Sequence, residues 1–178
     1  TYAWYHWITF FYLYCFFGWI FESTYVSFKQ HHFVNRGFLR LPMLPLYGSG
    51  AILLLWVSLP YQDNLILVYI AGFIAATALE YVTGAVMERL FKVRYWDYSN
   101  QKFNLNGYIC LTSSLGWGLF SVLLVKFVHV PIEGAVLKIP TIIAEGIAFV
   151  LTVAAAVDVT QSFNDAMDLK RILAQLEE

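Results

Sequence analysis

The chain has 178 residues, 60% hydrophobic, 19% aromatic and only 13% charged, with a mean hydropathy of +0.62. Soluble domains carry about 25% charged residues, so this composition excludes an ordinary water-soluble globule and points to an integral membrane protein. A net charge of −1 suggests no nucleic-acid partner.

A membrane span needs about 20 apolar residues to cross a hydrocarbon core about 30 Å thick. The apolar runs predict an all-α membrane protein with about five helices, at 4–26, 44–59, 64–90, 108–128 and 139–159. The first apolar run has no basic residue before it and no small-residue cleavage site, so it reads as a span and not as a cleavable leader. Long apolar runs also argue against a β-barrel, which needs short alternating strands. Residues 1–160 are expected to form the transmembrane domain. Residues 161–178, which contain "DLKRILAQLEE", are expected to form a polar cytoplasmic tail. Cys15 and Cys110 both fall in apolar stretches and read as core thiols.

Basic residues orient membrane helices toward the cytoplasm. Lys29, Arg36 and Arg40 follow the first helix, Arg89, Lys92, Arg94 and Lys102 follow the third, and Lys170 and Arg171 lie in the tail. With five spans, these nine of the eleven Lys and Arg residues fall on one side, leaving Lys126 and Lys138 on the other. The expected location is a bacterial cytoplasmic membrane, with the N-terminus outside and the C-terminus in the cytoplasm. The aromatic opening "TYAWYHW" would then sit at the outer interface.

Two segments resemble one another. "RGFLRLPMLPLYG" and "NGYICLTSSLGWG" align at an offset of 70, matching Gly37 to Gly107, Tyr47 to Trp117 and Gly48 to Gly118. Upstream, "IFESTYV" and "ALEYVTG" align at an offset of 58 and pair Glu22 with Glu80. Glycines and aromatics match as well as leucines, so the reading is a duplicated helix–loop–helix unit, over about 10–59 and 68–128. Two helices per unit make the repeats parallel. The offsets differ by 12 residues, and most of that insertion is "RYWDYSNQKFN".

Polar residues inside such helices are the natural candidates for a site. Glu22 follows twenty-one residues without Asp, Glu, Lys or Arg. Gly72, Ala76, Glu80, Gly84 and Glu88 recur every fourth residue and so share one helix face, whose small residues admit a close neighbour. Arg36, Arg40 and Arg94 are the expected partners of these acids, because a bidentate arginine lowers the cost of a buried carboxylate. Trp96, Tyr95 and Tyr98 have the amphipathic shape suited to the headgroup level. Asp97 either caps the linker or pairs with Arg94 or Arg36. Asn104 and Asn106 before Gly107 signal a turn. The candidate substrate-binding set is Glu22, Arg36, Glu80, Glu88, Arg94, Trp96, Asp97 and Asn104. Pro42 and Pro45 bar regular helix before Leu46, and the counterpart segment offers hydroxyls at Thr112, Ser113 and Ser114.

Other chemistry is thinly supported. His31 and His32 are adjacent on a linker and make a weak metal pair. Ser113 or Cys110 as a nucleophile has no histidine base near it in sequence. Walker, zinc-protease, nucleophile-elbow and dinucleotide motifs are absent, so no cofactor is implied. Asp158, Asp165 and Asp168 read as part of a solvated helix end.

The motifs "FFGWIFES", "NRGFL", "PLYGSGA", "LEYVTGAVMERLF", "RYWDYS" and "NLNGYICLTSSLGWG" resemble a family of small bacterial membrane proteins, the putative ABC-transporter permeases of CmpB type. The resemblance spans about Phe10 to Phe120 and leaves the fifth helix outside. It implies transport, with any ATPase on a separate chain. One departure is "RGFLRLP", where Arg40-Leu41 stand in place of an expected glycine before the proline.

Three functions follow from these residues. The first is permease-like transport of a small solute or cation through a polar site near the cytoplasmic side. The second is an intramembrane enzyme acting on a lipid or isoprenoid headgroup. The third is a non-catalytic assembly subunit that recruits a partner through its tail. Membrane lipid is the expected environment, and so small a bundle calls for a homodimer or a separate partner subunit.

Overall fold

The computed structural model describes residues 2–177, and the described residues form five helical rods. These are α1 (Trp4–Gln30), α2 (Pro45–Ser58), α3 (Leu65–Phe91), α4 (Leu111–Leu137) and α5 (Thr141–Leu176). A 3₁₀ turn, Leu59–Tyr61, extends α2, and a two-residue ladder, β1 (Asn104–Leu105) with β2 (Ile109–Cys110), precedes α4. Three of the rods, α3, α4 and α5, are long and apolar enough to cross a membrane. At 27 residues α1 is as long as α3, but it is built largely from Trp, Tyr and Phe.

The helix ends follow from local chemistry. Asn64 caps α3, its side-chain oxygen accepting from the Ile66 and Leu67 amides. Pro45 opens α2 at a position where a missing N–H costs nothing. Both α1 and α3 stop at a left-handed residue, His31 at φ 60° and Lys92 at φ 59°. Within α4, Leu124–Val128 forms one π turn. Pro131 explains it: its ring would meet the carbonyl of Phe127, and the widened turn relieves that clash.

Two elements run further than the apolar pattern suggests. The π turn carries α4 through Pro131 to Leu137, where the sequence ended the helix near 128. The polar segment from 161 continues α5 to Leu176, making it 36 residues long. Good helix formers such as Leu, Ala, Lys, Arg and Gln sustain the last turns once apolar packing has ended.

The chain divides into two compact units, residues 1–49 with 135–178, and residues 50–134. In the first, α1 packs on α5. Its core gathers Cys15, Leu39, Met43 and Ala155, with Phe11 and Tyr12 against them. In the second, α3 packs on α4, and the core includes Leu54, Val68, Leu124 and the hydroxyls of Ser58 and Ser121. These hydroxyls bond each other at 3.1 Å, and Ser121 also donates to the Val68 carbonyl at 3.2 Å.

The small-residue face of α3 is the contact surface. A Cβ on Gly72 would collide with the Ser121 side chain, and one on Gly84 would lie 3.1 Å from both Trp96 and Tyr108. Gly72→Val should therefore push α3 off α4 and cost about 1–3 kcal/mol, as overpacking does. Chemical denaturation in detergent micelles would measure this. An unchanged midpoint would mean that the helices are not closely packed at Gly72.

Candidate functional site

Four carboxylates on the helices organise the polar contacts. In the first unit, Glu22 accepts a hydrogen bond from the Tyr47 hydroxyl at 2.6 Å and pairs with Arg36 at 3.5 Å. The expected Arg36–Glu22 partnership therefore forms. Arg36 also donates its backbone N–H to Ser23 Oγ at 3.2 Å, which ties the linker to α1.

Arg40 does not serve α1 or α3. Its guanidinium pairs with Asp165 at 2.7 Å and bonds Gln161 at 2.9 Å, both on α5. Its amide and that of Leu41 donate to the two oxygens of Asp158, at 2.9 and 2.7 Å. Ser162 adds a third bond to the Asp158 carboxylate at 3.0 Å. Asp158 is only 5% exposed, so it is a buried anchor and not part of a solvated end. The signal was its place in "AFVLTVAAAVDVT", a lone acid closing an apolar run.

In the second unit, Glu80 lies eleven residues before the end of α3, about 16 Å along the helix. It is 8% exposed. One oxygen accepts from Tyr98 at 2.7 Å, and the other accepts from Trp117 Nε1 at 2.8 Å and Ser113 Oγ at 3.0 Å. All three partners are neutral, and among the described residues Glu80 has no ion pair. Sequence matching singled out Trp117 as the counterpart of Tyr47 but did not connect either residue to an acid. Tyr47 bonds Glu22, and Trp117 bonds Glu80.

Glu88, two turns further along α3, accepts from the Tyr108 hydroxyl at 2.6 Å and pairs with Arg94 at 3.0 Å. Arg94 also bonds Asp97 at 3.3 Å and the Asn106 carbonyl at 2.9 Å, and its guanidinium lies 4.8 Å from the Tyr108 ring centroid. Asp97 in turn accepts from the amide and hydroxyl of Ser99. These Ser99 bonds, followed by Arg94, hold the Asp97 carboxyl below its ordinary value. Burial comes first in raising the Tyr98 hydroxyl to about 12, with the Glu80 carboxylate pushing the same way.

The linker from 92 to 110 folds around these contacts. Trp96 lies against Gly84 and donates to the Tyr108 carbonyl at 2.9 Å. Asn104 faces inward on the linker itself, donating to the Gln101 carbonyl at 2.7 Å and accepting from the Gly107 amide at 3.1 Å. It shapes the turn. Gly107, at φ +76°, sits where a Cβ would collide with Arg94.

The candidate residues thus fall into groups: Glu22 with Arg36, Glu80 with Tyr98, Ser113 and Trp117, and Glu88 with Arg94 and Asp97. Ser113, read from sequence as a nucleophile without a base, donates to Glu80. A cavity of about 640 Å³ opens beside Glu88 and Arg94 and is also lined by Tyr81, Arg89, Lys92 and Tyr108. Among the described residues, no group of three His, Cys, Asp or Glu side chains is placed to hold a metal.

The family described as "Putative ABC-transporter type IV" matches residues 9–163. The chain belongs to this family. The match extends past Phe120, where the motif resemblance stopped, and takes in most of α5 and the Asp158 anchor. No curated protein and no solved structure shows a significant match. Family and apolar helices together fit a membrane transport role.

The lowered Asp97 carboxyl gives the linker a pH signature. A group whose folded pKa is depressed contributes stability above its unfolded value, here an ordinary 3.8, and loses it as pH falls through the folded value. Amide-exchange protection at Ser99 should hold from neutral pH to about 4 and fall below that. Asp97→Asn should remove this acid step and lower protection at neutral pH, the two proteins converging in acid. Equal protection in the variant would show that Asp97 does not hold the turn.

Proposed function

We propose that this chain is a permease-like transport protein of the bacterial cytoplasmic membrane that passes a small cation, with Glu80 as its ion-binding group. Five spans, the N-terminus outside and the C-terminus in the cytoplasm, would put the basic linkers at the cytoplasmic surface, in line with the distribution of Lys and Arg.

The observation that carries this reading is the contrast among three carboxylates on α1 and α3. Glu22 and Glu88, nearer their helix ends, each have an arginine. Glu80, the most deeply placed, has neutral donors alone. A carboxylate at such depth is costly in a bilayer and is kept where it serves a pathway. A monovalent cation supplies the charge that no residue provides, with the Ser113 and Tyr98 oxygens turning from donors to ligands. Tyr98 belongs to the long linker, so cation entry from the cytoplasmic side requires that linker to lift.

A duplicated architecture supports the same reading. The Glu22–Tyr47 and Glu80–Trp117 bonds join positions that match at offsets of 58 and 70. Gly48 lies against Phe11, and its counterpart Gly118 lies against Tyr69, which also matches Phe11 at an offset of 58. We infer one ancestral two-helix unit, 10–59 and 68–128, with the added linker of the second copy turned into a cover for its acid.

Potential-driven uptake of monovalent cations into liposomes containing the full chain tests the proposal. Glu80→Gln should reduce uptake about tenfold or more, and Tyr98→Phe, which removes one of the proposed ligand oxygens, should lower it by a smaller factor. Uptake that is the same in wild type and Glu80→Gln would reject Glu80 as the ion site.

A further inference from the structure

A second site lies on the flank of α3, away from the Glu80 donors. Its wall is a stripe of that helix: Ile74, Ala78, Tyr81, Ala85, Glu88 and Lys92 follow one another at intervals of three or four residues. The β1–β2 turn forms the opposite wall. Two cavities line up along this stripe. Toward the C-terminal end of α3 is the polar one of about 640 Å³, and toward the middle of the helix is an apolar one of about 440 Å³ lined by Ile74, Ala78, Leu105 and Ile109. Tyr81 borders both, so the two are neighbours on one face of the helix.

Charge divides them sharply. The polar cavity presents Arg89, Lys92 and Arg94 against the single acid Glu88. Arg94 and Glu88 neutralise each other at 3.0 Å. Arg89 and Lys92 form no ion pair among the described residues, and both are exposed. Two unneutralised cations therefore sit at the end of a membrane-length helix, directly beyond an apolar trough on the same face. In the trough, Ile74 is 62% exposed and Leu105 55%, surfaces that only lipid or a protein would cover.

We propose that this groove binds one anionic phospholipid from the adjoining leaflet. Its phosphate would lie between Arg89 and Lys92, and one acyl chain would run past Tyr81 along Ile74 and Ala78. The occupant follows from the pairing of features. A soluble anion would use the cations and leave the trough empty, and a neutral lipid would fill the trough and leave the cations unpaired. A phospholipid with a net negative headgroup satisfies both. Juxtamembrane cations attract such lipids, each worth about fivefold in affinity.

The site is independent of Glu80, and its test reads lipid binding, not transport. The full chain in detergent would be titrated with phosphatidylglycerol and with phosphatidylcholine, and bound lipid counted by native mass spectrometry. Wild type should retain one phosphatidylglycerol in preference to phosphatidylcholine by about thirtyfold, the product of two cations. Arg89→Gln with Lys92→Gln should erase the preference, while Ala78→Trp, which fills the trough, should weaken both lipids. Circular dichroism of each variant checks folding, and phosphatidylcholine retained by the double variant serves as a second control. Inorganic phosphate that competes as well as the lipid, or selectivity that survives the double substitution, would overturn the proposal.

Discussion

A carboxylate on a long apolar helix has little water to satisfy it, so the protein must bring donors to it. That requirement shapes most of the polar structure. Tyr47 and Arg36 reach Glu22, Tyr98, Ser113 and Trp117 reach Glu80, Tyr108 and Arg94 reach Glu88, and two linker amides reach Asp158. Hydrogen bonds to charged groups are each worth about 1.5–3 kcal/mol. The linkers fold where they do because the acids they serve are fixed on helices. This also accounts for Tyr98 and Tyr108 in the linker after α3: an aromatic ring can lie against apolar helix surface and still present an O–H to the acid.

Arg94 illustrates how closely that linker is specified. One guanidinium joins a helix carboxylate, a linker carboxylate and a linker carbonyl, and lies over the face of Tyr108. Only a backbone without a Cβ fits beside it, and Gly107 supplies one in a left-handed conformation. Asp97 then fastens the next turn through Ser99. Lysine in place of Arg94 would keep the charge but lose the planar fork that makes several contacts at once.

Much of this could be read from residue order. Apolar run lengths located the five rods, because burial in lipid leaves a long, plain hydropathic record. Fourfold spacing of Gly72, Ala76, Glu80, Gly84 and Glu88 identified the face of α3 that meets its neighbours. Arg36 and Arg94 were placed beside acids from charge alone. Polarity hid the rest. The final turns of α5 are as hydrophilic as a loose tail, and only helix propensity distinguishes them. Pro131 marks a helix break in most sequences, and a single π turn absorbs it here. Asp158 looked solvated because its partners are backbone amides, which leave no trace in side-chain identity. The pairing of Glu80 with Trp117, thirty-seven residues apart, depends on how α3 meets α4, and no local pattern encodes it.

The length of α5 has a mechanical consequence. Thirty-six residues of helix measure about 54 Å, against a hydrocarbon layer of about 30 Å. A rod of that length crossing the layer would, even tilted, project several turns beyond the lipid as a stiff shaft instead of a floppy leash. Asp158 clamps it partway along to the backbone of the segment before α2. Torque or displacement at that clamp would reappear at Lys170 and Arg171 with little loss, which gives the submerged part of the fold a lever into the aqueous phase.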